Sequence, residues 1–305
     1  MSRTATEGTK QNYLKNLIRL NDGDEIKNFN FLKKTEDILQ KISHLKPNSQ
    51  RTYLIAIVST LKDLKGFDMA HKFYYGLMMD MNKALKDNTT KSDTQVANWI
   101  SQDEVMQRYQ EMSEQVIPLL HLKKVNAKQW SDILDFIVFS LYTLQQPRRN
   151  KDYQLMMVIK STKDFDDNYK DFNYWMGGWF LFYNYKTKGT YNLQEIEVNP
   201  ELQEILKLYI KLHPLKKQKK YPLLVDYEGQ PLLQVNDITR ILNRIFKKRI
   251  GVSMLRNIYL TDKFKEPMQE LKDTARAMGT SSNTIQNNYV KVDDAMPPQY
   301  LLDNL

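Results

Sequence analysis

Apolar residues recur at intervals of three and four along most of this chain, the spacing that lets an α-helix bury one face and wet the other. In residues 10–20 the pattern places Tyr13, Leu14, Leu17, Ile18 and Leu20 on one side. Residues 29–43 read as a second amphipathic helix. Residues 48–65 carry Tyr53, Leu54, Ile57, Val58 and Leu61 behind Asn48 or Ser49 as N-cap. A fourth, methionine-rich stretch covers 67–86. Glycine and proline number 10 each in 305 residues, so little interrupts these periods. The pattern predicts a mainly α fold that opens with a helical bundle over 1–86.

At roughly 100–200 residues per domain the length accommodates about two domains. Residues 87–98 are polar and aperiodic and read as a linker, leaving 99–305 as a second domain. Ser101 is placed to cap a helix from Gln102, and helices are expected over 102–122 and 126–145. The pattern then changes. LMMVIK, WFLFYNYK and LQEIEV are short and rich in β-branched and aromatic residues, with the turn-forming run Thr187–Asn192 between the second and third. They predict a small antiparallel three-stranded sheet, making this domain mixed α+β. Asn199-Pro200 opens a helix to about His213. Further helices are expected from near Asn236, Ser253, Pro267 and Ser281, with Gly279 as a stop.

Composition excludes several kinds of chemistry. There is no cysteine, so disulfides, thiolate metal sites and cysteine nucleophiles are out, and an intracellular setting is expected. No two of His44, His71, His121 and His213 have local metal-ligand spacing. The longest uncharged apolar run, Trp175–Tyr185, falls short of the ~20 residues a membrane helix needs. Lysine plus arginine (45) exceeds aspartate plus glutamate (36), a formal charge of +9 that suits an anionic partner.

Four segments carry the functional reading together: Gln146-Pro147-Arg148-Arg149-Asn150-Lys151-Asp152, Tyr185-Lys186-Thr187-Lys188, Ser253-Met254-Leu255-Arg256, and Met278-Gly279-Thr280-Ser281-Ser282 followed by Tyr289. Each alone is ordinary. In this order and spacing they resemble the catalytic domain of the tyrosine recombinase (phage-integrase-like) family over about 100–295, and the preceding bundle resembles that family's core-binding domain. The style looks closest to recombinases of large eukaryotic DNA viruses and related mobile elements.

The resemblance implies a site residue by residue. The family's first arginine stands three before an acidic residue, which selects Arg149 with Asp152 over Arg148. Its lysine sits in a turn between strands, which gives Lys186, or failing that Lys188. Its second arginine is Arg256. Its nucleophile lies nine residues after the histidine or tryptophan of a Gly-His box, which makes it Tyr289. Two positions depart. The histidine before the second arginine is Ser253, and the box histidine is Thr280. Ser253 also suits a helix N-cap, and Thr280 a helix stop.

The chemistry explains the residue types. Phenol attack on a phosphodiester builds negative charge on the nonbridging oxygens, which two forked guanidiniums, Arg149 and Arg256, would clamp. Lys186 would protonate the leaving 5′ oxygen. Tyr289 would hold the 3′ phosphate covalently, so rejoining needs no ATP. Asp152 would orient Arg149 or its helix. Losing a general base typically lowers rates about 10²–10⁴-fold, so Ser253 and Thr280 imply a slow enzyme. No metal or other cofactor is implied.

DNA contacts are expected from Lys216 and Lys217, in a loop whose charges otherwise simply face solvent, and from Arg244, Lys247, Lys248 and Arg249 on the helix from Asn236. The partner implied is double-stranded DNA, gripped by two domains and bound by homodimers or homotetramers, with Tyr300-Leu301-Leu302 either an inter-protomer anchor or a tail folded on its own domain. Three alternatives remain open: a type IB topoisomerase or telomere resolvase, a recombinase-derived DNA-binding protein without catalysis, and a basic architectural protein.

Overall fold

The computed structural model describes residues 5–86 and 90–290. It divides into two compact units, Met1–Lys91 and Ser92–Leu305. The tail segment around Tyr300 lies outside the described residues.

The first unit is helical throughout. Its helices are α1 (Glu7–Leu20), α2 (Thr35–Ser43), α3 (Pro47–Leu61) and α4 (Asp68–Lys86), with a 3-10 turn at Asn30–Lys33. Thr6 caps α1, whereas α3 starts one residue before the expected caps, with Pro47 in its first turn. Leu17, Leu20, Leu32, Ile38, Ile42, Ile57 and Tyr74 form the core. The fully buried Tyr74 hydroxyl donates to the Leu32 carbonyl at 2.9 Å, fastening α4 to the 3-10 turn. Leu14, expected on the buried face, is 52% exposed.

The second unit begins with a correction. Part of the predicted linker is a short helix, α5 (Asp93–Asn98), closed by a capping box between Ser92 and Gln95. It buries no residue, which is why no apolar period marks it. Helices α6 (Gln102–Leu120) and α7 (Ala127–Thr143) follow, each with a capping box, Ser101 with Glu104 and Asn126 with Gln129. Helix α7 is apolar on nearly every side and forms the centre of this unit, packing against α6 and, further along the chain, α10 (Pro200–Leu212) and α11 (Asp237–Phe246).

Between them come α8 (Asn150–Gln154) and the strands β1 (Met156–Ile159), β2 (Asn173–Met176), β3 (Trp179–Phe182), β4 (Gln194–Glu197) and β5 (Tyr221–Pro222), with α9 (Lys188–Tyr191) between β3 and β4. The sheet has five strands in the order β4-β3-β2-β1-β5 and is mixed, because β1 and β2 run parallel. The expected three antiparallel strands are therefore incomplete. The missed strand β2 turns into β3 at Gly177, whose φ of 65° places it in the left-handed region. One sheet face packs Phe180 and Phe182 onto the α7 core. The other buries Tyr174 and Leu181 beneath Phe165 and Tyr169 of the β1–β2 crossover.

His213, fully buried, is an example of an interior imidazole that stays neutral. It packs against the rings of Trp130, Tyr209 and Tyr221, and its Nδ1 accepts the Leu215 N–H at 3.1 Å. Burial lowers its pKa from 6.5 to about 4, against the opposing pull of the Leu223 and Pro222 carbonyls. The unfolded chain takes up a proton at His213 below pH 6.5, whereas the folded chain does so only near pH 4. Stability is thus fully present above 6.5 and falls by about 3 kcal/mol as pH drops to about 4. Melting His213→Phe beside the wild type across this range checks it, since the variant lacks that part of the pH dependence. Parallel curves would contradict the assignment.

The last long helix, α12 (Val252–Ala277), overturns one expected boundary. It runs through Pro267, where a new helix was expected to start. Residues 261–270 are all exposed, so the carbonyl that loses its partner to proline faces water, and the helix continues. Its end is a Schellman motif: Thr280 N–H donates to Ala275 O at 2.9 Å and Gly279 N–H to Arg276 O at 3.1 Å, with Gly279 at φ 66°. Ser281 then caps the short α13 (Ser282–Thr284), which passes into a single π-type turn over Ile285–Tyr289.

Candidate functional site

The paired arginines before α8 have separate environments. Arg148 is committed inside the protein. Its Nε donates to Asp152 Oδ2 at 3.0 Å, its Nη1 to Gln194 Oε1 at 2.9 Å, and its guanidinium lies 3.7 Å from the Phe182 ring centre. Asp152 is only 3% exposed. Burial raises its carboxyl pKa, with Arg148 opposing. The carboxylate expected to orient Arg149 or its helix pairs with Arg148; the Arg149 backbone and charge also lower its pKa, and the Asp152 N–H donates to Arg149 O at 3.0 Å. Arg149 is the extended N-cap residue of α8, and it lines a cleft.

That cleft, of about 550 Å³, lies where α8, α11 and the start of α12 meet. Arg149, Arg249 and Arg256 contribute to its wall together with Ser253, Asn257 and Gln95. Among the described residues no carboxylate lines it. Burial, and next the neighbouring Arg149, lowers the pKa of Arg256, with the Asp152 carboxylate opposing. Such a concentration of like charge is stable only at modest cost while water fills the cleft, and an anion relieves it.

The α12 N-terminus adds to the same field. Gly251 is its N-cap, so Ser253 is not the cap but lies inside the first turn, exposed on the cleft wall three residues before Arg256. A side chain at Gly251 would approach Thr239 Cγ2 to 3.3 Å, so glycine allows α12 to start close against α11. The leading amides of a helix have no partner within it and carry partial positive charge. Three guanidiniums and a helix N-terminus on one wall, with no carboxylate among the described residues of that wall, suit a phosphate ester.

The other predicted residues lie elsewhere. Lys186 is exposed on the β3–β4 connection, and Lys188, at the start of α9, donates to Asn184 Oδ1 at 3.3 Å. Neither is in the cleft wall. Thr280 belongs to the Schellman stop, and Tyr289 stands 62% exposed in the π-type turn beyond α12, also outside the wall.

The proposed DNA contacts need correction. Arg244 is paired with Asp135, its Nε donating to Oδ2 at 2.8 Å and Nη2 to Oδ1 at 2.5 Å, so its charge is largely neutralised. Lys247, Lys248 and Arg249 are not on the helix, because α11 ends at Phe246 and Lys247 is left-handed. Lys216 and Lys217 are exposed after α10, with Lys216 Nζ on the Lys211 carbonyl.

Sequence reasoning missed Gln95, Asn257 and the role of Arg249 in the cleft. The signal for Gln95 was available, since Ser92-x-x-Gln95 is a capping-box signature. Among the described residues no helix is long and apolar enough to cross a membrane, and no group of three His, Asp or Glu side chains is placed to hold a metal ion. Comparison of the chain with protein families, curated proteins and solved structures gives no match in any of the three.

Proposed function

We propose that this chain is a tyrosine-type DNA strand transferase, a recombinase or integrase acting on duplex DNA. The observation that carries the reading is the cleft that Arg149 and Arg256, distant in sequence, line together, with no carboxylate among its described wall residues. Two forked guanidiniums match the two nonbridging oxygens of one phosphodiester, and the α12 amides add donors to the same group. The reaction forms a bond between Tyr289 Oη and phosphorus and breaks the bond to the 5′ oxygen. The phenol proton passes to water, and the 5′ oxygen takes a proton from Lys186. Rejoining reverses these steps.

Tyr289 must be brought to the bound phosphate from outside the cleft wall. The exposed half of α12, where Pro267 removes one rung of the hydrogen-bond ladder, is where bending would deliver it.

Covalent trapping tests the reading. Nicked duplexes, selected from a randomised pool by binding to the full chain, are incubated with wild type and Tyr289→Phe and run on denaturing gels. The expected result is a protein–DNA adduct at a 3′ phosphate with wild type alone. Adduct from both proteins, or from neither, contradicts it. The position of Tyr289 favours one second reading, DNA binding without catalysis, for which binding with no adduct is the expected outcome.

A further inference from the structure

A second cleft, of about 600 Å³, adjoins the first at Arg249, which lines both. Its wall carries Lys247, Lys248 and Arg249 on one side and Asp93 and Asn98 of α5 on the other, with Asn243 of α11. One contact ties the basic run to α5, and among the described residues its charges are left without ion-pair partners. The Arg249 N–H donates to Asn98 Oδ1 at 2.8 Å, tying the loop to α5. Among the described residues none of the three cations forms an ion pair, although Lys248 acts at longer range on Glu104 in the α6 capping box. Asn243 Oδ1 is buried without a hydrogen-bond partner.

Lys247 is the most informative of these residues. It ends α11 in the left-handed region, at φ 52° and ψ 28°. Glycine fits that conformation without strain, whereas a lysine there is strained. A residue that is locally unfavourable at a helix end is explained by its side chain when that side chain has a ligand.

We propose that this second cleft is a separate backbone-phosphate subsite, and that one nucleic-acid strand runs from the Arg149–Arg256 cleft across Arg249 into it. The proposal rests on the strand-transferase reading for the identity of the strand. Asn98 is a positioning residue here, because it fixes the backbone of the arginine that both phosphates share. The helix first read as a linker thus becomes a wall of the DNA path.

The test is a salt titration of duplex binding with the full chain, using one mixed-sequence duplex. Each lost phosphate contact makes the slope of log affinity against log salt shallower by about 0.9. Lys247→Gly combined with Lys248→Gln is expected to reduce it by about 1.8, while Lys247→Gly alone raises the melting temperature by relieving the strained backbone. Arg149→Gln with Arg256→Gln reduces the slope independently, and all four changes together add. An unchanged slope in the lysine variant, with the arginine variant reduced, overturns the subsite and leaves the first cleft intact. Absence of duplex binding by the wild type overturns both.

Discussion

Arg256→Gln is expected to lower the rate of covalent adduct formation by about 10²–10³-fold while leaving the folded chain at least as stable as the wild type. The two effects have one origin. Burial and Arg149 disfavour the charge on Arg256 more than Asp152 favours it, so glutamine removes a net cost from the folded state. In the proposed reaction the same charge meets the negative charge that develops on the phosphate oxygens. Adduct yield against time gives the first effect and a denaturant melt the second. Loss of stability in step with loss of adduct would instead make Arg256 a packing residue.

Arg148→Ala is expected to act the opposite way, destabilising the second unit by about 3–5 kcal/mol, because it strands a buried carboxylate. Asp152 then has no cation in contact, and the Arg148 stacking over Phe182 and the bond to Gln194 go as well. The melting temperature should drop on the order of 10 °C. The pH dependence identifies the cause. Burial already raises the Asp152 pKa above 3.8, and removing Arg148 raises it further. The folded variant therefore takes up a proton at a pH where the unfolded chain stays ionised. Lowering pH from neutral toward 5 then narrows the gap to the wild type, while the His213 contribution is common to both and cancels. Asp152→Asn added to Arg148→Ala should also recover part of the loss. A gap that is constant with pH would mean that lost packing dominates.

These contrasting arginines show what spacing in the sequence conveys. Arg149 was favoured over Arg148 because Asp152 follows it by three residues. In the fold the same residue is singled out because Arg148 is already occupied, by that very carboxylate. Sequence spacing cannot say where a carboxylate points.

Helix starts were legible where a cap and a buried face coincide, as at Ser101 and Asn126. Helix α5 has the cap without the buried face and was read as linker. Strand β2 was hidden because Trp175–Tyr185 reads as one apolar run, and only the left-handed Gly177 divides it. The parallel pairing of β1 with β2 depends on a crossover with no long periodic element to announce it. The cleft joins α5, α8, α11 and α12 through tertiary contacts, so its extension past Arg249 could not be read from any one segment.

In the proposed complex Arg149 and Arg256 grip one phosphate. That grip is tested most directly by replacing each phosphate of the selected duplex in turn with a neutral methylphosphonate and measuring binding. The expected result is one position at which neutralisation weakens the wild type but does not further weaken the Arg149→Gln, Arg256→Gln double variant. An equal loss in both proteins at every position would show that the two arginines do not hold a DNA phosphate.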